Sequence, residues 1–185
     1  MEQKALRKIL WEEAGKAGLA LGAVSTAHLF LTQLATSIEM PTLLSMLAST
    51  ILWAGKFGGC IWLMMHFMKK FAQENHNVQN GTTFRFGMAA SVLSALVYAA
   101  AAFANTAFIS ADMIVENTKI LMEQMAPFMD SNSVNQMEGF MERLPQITFF
   151  SNLFYCIIYG SLLSFILSRN IPNTNPFANN NSAEW

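Results

Sequence analysis

The chain has 185 residues, 53% of them hydrophobic and only 12% charged, with a net charge of −1. Soluble domains carry about 25% charged residues, so half that share, with the apolar residues gathered into long runs, argues against an ordinary water-facing domain. The near-zero net charge also argues against a basic nucleic-acid-binding surface or an acidic partner.

Residues 2–14 read as an amphipathic helical start. Leu6, Ile9 and Leu10 share one face, Lys4, Arg7 and Lys8 lie beside it, and Trp11 stands where an interfacial indole sits. An apolar run follows from Ala17 to about Ala35. Small residues at Ala35, Thr36 and Ser37 resemble a signal-peptide cleavage site. The run of about 18 residues is nevertheless longer than the roughly 7–15 of a signal-peptide core. A retained first span over about 14–36 is therefore expected.

A short loop holds Glu39 and neither Lys nor Arg, and the second span covers 42–68 with Lys56 near its middle. Lys69 and Lys70 close it, and the polar stretch QENHNVQNGTTFR follows. The third span is expected over about 86–110. In it Gly87, Ser91, Ala95 and Ala99 recur every four residues, a small-residue ridge that lets another helix approach closely. Gly18 and Gly22 repeat the spacing on the first span. The spacing alone leaves open whether the ridge serves packing within the chain or a partner.

Residues 111–146 are too charged to span. Asp112, Glu116, Glu123, Asp130, Glu138 and Glu142 stand against Lys119 and Arg143, a net of −4. Two amphipathic helices are expected here. Ile114, Leu121, Met125 and Phe128 mark the face of the first, which ends near Pro127. Val134, Met137, Met141 and Leu144 mark the second, with a Ser133–Gln136 capping box at its start and Pro145 at its end. The fourth span covers about 147–168, and the Asn-rich tail at 171–185 reads as disordered and cytoplasmic. Residues 1–170 thus form one domain. Eight Lys and Arg residues fall on the side of the termini and two on the other, so both termini are expected in the cytoplasm and the hairpin outside. The fold class is an all-α membrane protein: four transmembrane helices with an extracytoplasmic amphipathic helical hairpin between spans three and four.

Lys56 lies about 14 residues from one end of its span, about 21 Å at roughly 1.5 Å per residue. A lysine at that depth is a functional candidate by default. Depth-matching brings Ser25, Thr26 and His28, then Tyr98, Tyr155 and Tyr159, to its level, with no carboxylate among them. A hydrogen-bonded lysine that specifies helix packing is the plain reading, and a ligand, lipid or partner contact the functional one. Asn105 and Asn152 share a depth and suggest an interhelical amide pair. Cys60 and Cys156 lie at unequal distances from the ends of their runs, which argues against a disulfide.

Thirteen methionines include Met125/Met129 and Met137/Met141 at four-residue spacing, and Met64, Met65 and Met68 around His66. Thioethers suit copper(I), but flexible packing explains the same residues. No metal, cofactor or catalytic constellation is expected, since the histidines are scattered and no GxSxG, HExxH, CxxC or phosphate loop occurs. Met125, Phe128, Met129, Met137, Met141 and Leu144 make the hairpin the stronger binding candidate, either over the mouth of its own bundle or on another integral membrane protein.

GTTFRFG at the opening of the third span, FISADM at its exit, EQM and MEGFMERL in the acidic segment, then Pro145 and a last apolar span, resemble a known family. This is the small bacterial four-span integral membrane family catalogued as domain of unknown function four-one-nine-nine. The resemblance covers roughly residues 12–170; the Asn-rich tail and Lys56 depart from the pattern. It implies a multi-pass helical inner-membrane protein with no established activity, and an association with lipid-linked glycosyltransferases. The expected function is a non-enzymatic accessory or scaffold subunit of a membrane assembly, in contact with the bilayer and another integral membrane protein, or with a second copy of itself. The alternative is a small-solute or ion carrier using Lys56 and His28.

Overall fold

The computed structural model describes residues 2–38, 41–75, 78, 80–125 and 131–171. The expectations placed on Glu39, His76, Phe128, Met129 and the tail beyond Ile171 lie outside the described residues. Helix α1 spans Glu2–Ser37, α2 Thr42–Glu74, α3 Asn80–Ala104, α4 Ala111–Met125, α5 Ser131–Glu142 and α6 Leu144–Asn170. A π-turn at Asn105–Ile109 joins α3 to α4. Among the described residues there is no strand. Helices α1, α2 and α6, together with α3 and its π-turn, are each long and apolar enough to cross a membrane.

The helices exceed the apolar runs that the sequence marks out. The amphipathic start and the first span form one helix of 36 residues, about 54 Å long at roughly 1.5 Å per residue. The polar stretch after Lys70 is mostly helical as well, because α2 continues to Glu74 and α3 begins at Asn80. Pro41 precedes α2 without a side-chain cap, and its carbonyl accepts from the N–H of Leu44 at 2.9 Å. Helix α5 starts at Ser131, so the expected Ser133–Gln136 capping box falls inside the helix. Pro145 does not end α5; it sits in the first turn of α6, where its fixed φ is favourable and its missing N–H costs nothing. Leu144 accordingly opens the last helix and does not belong to the hairpin.

Helix α3 is the centre of the bundle, packed extensively on α6 and α1, while α2 leans on α1 and touches α3 and α6 sparsely. In α1 the buried positions Leu10, Ala14, Ala17, Leu21 and Ser25 recur every three or four residues, one stripe of a helix. Gly18 and Gly22 lie along the same stripe. A Cβ on Gly18 would stand 2.7 Å from Leu93 Cβ and 2.9 Å from the Ala90 carbonyl, and one on Gly22 would stand 2.7 Å from Val97 Cβ.

On its other side, α3 meets α6 through a reciprocal pair. Gly87 lies against Ser164, and Gly160 against Ser91. The two Gly-x-x-x-Ser segments therefore run antiparallel, each glycine receiving the other helix's serine. Both hydroxyls donate to the carbonyl four residues back, Ser91 to Gly87 at 2.7 Å and Ser164 to Gly160 at 2.6 Å, which leaves no donor without a partner in the contact. The Gly87–Ser91 end of the small-residue ridge is thus taken up by α6 of the same chain, while α1 packs on the adjoining face of α3 at Ala90, Leu93, Ser94 and Val97, which answers for packing within the chain the question that the spacing left open.

The apolar core lies towards the basic end of the bundle. Leu10, Met64, Met68, Phe71, Phe86 and Leu167 are buried there, and the Phe71 and Phe86 rings stack at 4.5 Å. The ion pairs Lys8–Glu12, Lys16–Glu13 and Lys70–Glu74 are within single helices and largely exposed, so they add little to stability.

Candidate functional site

A cavity of about 70 Å³ opens among α1, α2, α3 and α6 halfway along the apolar helices. Its polar lining comes from Ser25 on α1, Lys56 on α2, Ser91 and Ser94 on α3, and Tyr155 and Tyr159 on α6. The Lys56 ammonium lies 4.8 Å from the Tyr98 ring centre and 6.0 Å from that of Phe57. Tyr155 and Tyr159 stack at 6.4 Å, and Phe57 meets Tyr159 edge-on at 5.3 Å. Lys56 therefore stands among aromatic faces, an arrangement worth about 0.5–2 kcal/mol per cation–π contact. Among the described residues its ammonium has no carboxylate partner.

Depth-matching to Lys56 thus identified Ser25, Tyr155 and Tyr159 in the lining, and Tyr98 beside the lysine. Thr26 and His28 do not line the cavity; His28 faces the Leu52 backbone carbonyl on α2. Both cysteines do line it, unpaired, with Cys60 Sγ 3.8 Å from Ser25 Oγ. The depth argument spoke only to a disulfide, and the two thiols stay free while sharing one cavity.

A second polar cluster sits at the π-turn. The Ser110 N–H donates to the Asn105 carbonyl at 2.7 Å, the i→i+5 bond that defines the turn. Ser110 Oγ receives a bond from Gln33 Nε2 at 2.8 Å and reaches Asn105 Oδ1 at 3.4 Å. Asn152 donates instead to the Thr148 carbonyl of its own helix, at 2.8 Å. The expected Asn105–Asn152 pair is therefore replaced by a Gln33–Ser110–Asn105 contact tying α1 to the end of α3. Gln33, an amide in the otherwise apolar first run, was the available signal. Ser110→Ala is expected to lower stability by about 0.6–1.7 kcal/mol, the measured span for hydrogen bonds between membrane helices, read from a denaturant titration in micelles.

Along α4 and α5, Met125 is exposed and Met137 and Met141 are half-buried, as is Leu144 at the start of α6. Thr118 Oγ1 lies 3.8 Å from Met141 Sδ, linking α4 to α5. No residue of α4 is buried, so its apolar face does not close the mouth of its own bundle. Met64 and Met68 point into the core, whereas exposed His66 stacks on Trp62, so these sulfurs and the imidazole diverge.

The family described as "Protein of unknown function (DUF4199)" matches residues 15–169. The chain belongs to the DUF4199 family. That match takes in α2, α3, α4, α5, nearly all of α6, α1 from residue 15 onward, and every residue of the cavity. Comparison of this DUF4199 chain with curated proteins and with solved structures gave no match.

Proposed function

We propose that this DUF4199 protein is a non-enzymatic accessory subunit of an inner-membrane assembly. The supporting observation is the uncovered apolar surface of α4 and α5. Met113, Val115, Ile120, Leu121, Met125 and Phe140 are each at least 41% exposed. The same segment has a net charge of −4. Helices lying on anionic lipid are usually basic, so the acidic segment fits a basic surface on another integral membrane protein better than a lipid headgroup layer. The basic bias of the sequence supports an orientation with both termini in the cytoplasm and this docking segment outside.

The carrier reading on Lys56 and His28 has less support, because His28, although near Lys56, does not line the cavity and no further titratable chain continues from it. Replacing residues 113–144 with a flexible linker tests the proposal, since α1, α3 and α6 pack without them. Crosslinked purification from native membranes is expected to recover one partner at fixed stoichiometry with the full chain and to lose it with the linker variant. Recovery of the full chain alone, or only as a homodimer, would sink the proposal.

A further inference from the structure

The mid-span cavity concentrates positive charge and hydroxyl groups in surroundings that are otherwise apolar. Lys56 supplies the cation, and Ser25, Ser94, Tyr155 and Tyr159 supply hydroxyls, while the rest of the lining is mostly hydrocarbon, sulfur and aromatic. A buried charge without a counter-charge is costly, and the aromatic faces around Lys56 offset only part of that cost. The site is therefore complementary to one small acidic group.

Its shape restricts what carries that group. The volume of about 70 Å³ is well above the ~10–15 Å³ that one water needs and far below the roughly 300–1,000 Å³ of drug-sized pockets. Only the end of a larger molecule fits. The remainder has to leave through the mouth, where Tyr155, part of the lining on α6, is 56% exposed. Helix α2 touches α6 only sparsely, and both are long and apolar enough to cross a membrane, so a way out between them at mid-helix leads into hydrocarbon and not into water. The tail must consequently be apolar.

We infer that the cavity binds the carboxyl end of a long-chain carboxylic acid drawn from the bilayer, with Lys56 as its charge partner. A carboxylic acid crosses hydrocarbon in its neutral form, and so reaches mid-membrane depth without dehydrating an anion. A phosphate monoester is ionised at neutral pH and bears that dehydration cost in full. Once in place, the carboxyl oxygens face Lys56 Nζ and accept from the surrounding hydroxyls, and the chain lies along the α2–α6 seam.

The test uses the full chain in nanodiscs with radiolabelled oleate. Saturable binding of one oleate per chain is expected, weakened about tenfold or more by Lys56→Met, in line with the loss of a charge-assisted hydrogen bond, and largely kept by Lys56→Arg. Equal thermal unfolding midpoints for the three proteins would show that the loss is local. Oleyl alcohol, with the same tail and no acid, should compete poorly, and inorganic phosphate not at all. Unchanged binding in Lys56→Met, equal competition by oleyl alcohol, or the absence of saturable binding would each overturn the inference. Tighter binding of dodecyl phosphate than of dodecanoate would overturn the carboxylate assignment.

Discussion

Gly160→Ala is expected to lower the stability of the bundle by about 2 kcal/mol, and Gly160→Leu to prevent α6 from docking on α3. A Cβ at position 160 would stand 2.5 Å from both Cβ and Oγ of Ser91, about 1 Å inside the usual separation of roughly 3.5–4.0 Å. The Ser91 Cβ cannot rotate away, so the helix axes must part along their whole seam. That separation weakens the Ser91–Ser164 contact, at 3.5 Å, and the Gly87–Ser164 approach one turn away. Alanine brings a helix-propensity gain of about 1 kcal/mol over glycine, which would make the variant more stable if the contact were open. The sign of the change therefore reports the packing directly. Ser91→Gly in the Gly160→Ala background should restore more than half of the loss, a coupling that independent sites do not show. Denaturant titration in micelles followed by circular dichroism measures all four proteins. A Gly160→Ala chain as stable as the parent would mean that α3 and α6 do not approach this closely.

The four spans were legible because apolar runs of this length have few other uses, and the third-span ridge was legible because a four-residue repeat of small side chains has a direct geometric meaning. Its partner was not. The Gly160–Ser164 repeat has the same spacing, but it lies among Tyr159, Leu162, Leu163 and Phe165, and only packing shows which face those bulky residues leave free. Helix boundaries were legible to within a few residues where a proline stands at the start of an apolar run, as at Pro41 before α2 and Pro145 in the first turn of α6. They failed where polar residues continue a helix beyond the hydrophobic run, as at 71–74 and 80–85. In the candidate site, counting residues along each span found Lys56 and the tyrosines. It argued against a disulfide, and Cys60 and Cys156 are free although both line the cavity; it set His28 level with Lys56, but depth says nothing about direction around the axis, and His28 does not line the cavity.

Phe86→Ala is expected to cost about 3 kcal/mol, and to release α2 selectively. Phe71 and Phe86 are 2% and 1% exposed and stack with an interplanar angle of 13°. They provide a firm joint between α2 and α3, which otherwise touch little. Within hydrocarbon the exposed face of a separated helix is solvated by lipid, and burial contributes little drive to association. This pair instead lies at the basic end, beside Lys69, Lys70 and Arg85, where the alternative to packing is water. The hydrophobic term applies there in full, with an aromatic-pair contribution of about 0.5–1.5 kcal/mol in addition. Loss of one ring should therefore lower hydrogen-exchange protection along residues 57–74, leaving 86–104 and 156–168 protected by the Gly/Ser seam. Leu162→Ala, at a side chain 60% exposed on the lipid side, serves as the control and should change stability by no more than about 0.5 kcal/mol. If α6 lost protection together with α2, the bundle would be one cooperative unit of four helices. The selective outcome makes α2, the helix that carries Lys56, a movable wall on a fixed core of α1, α3 and α6.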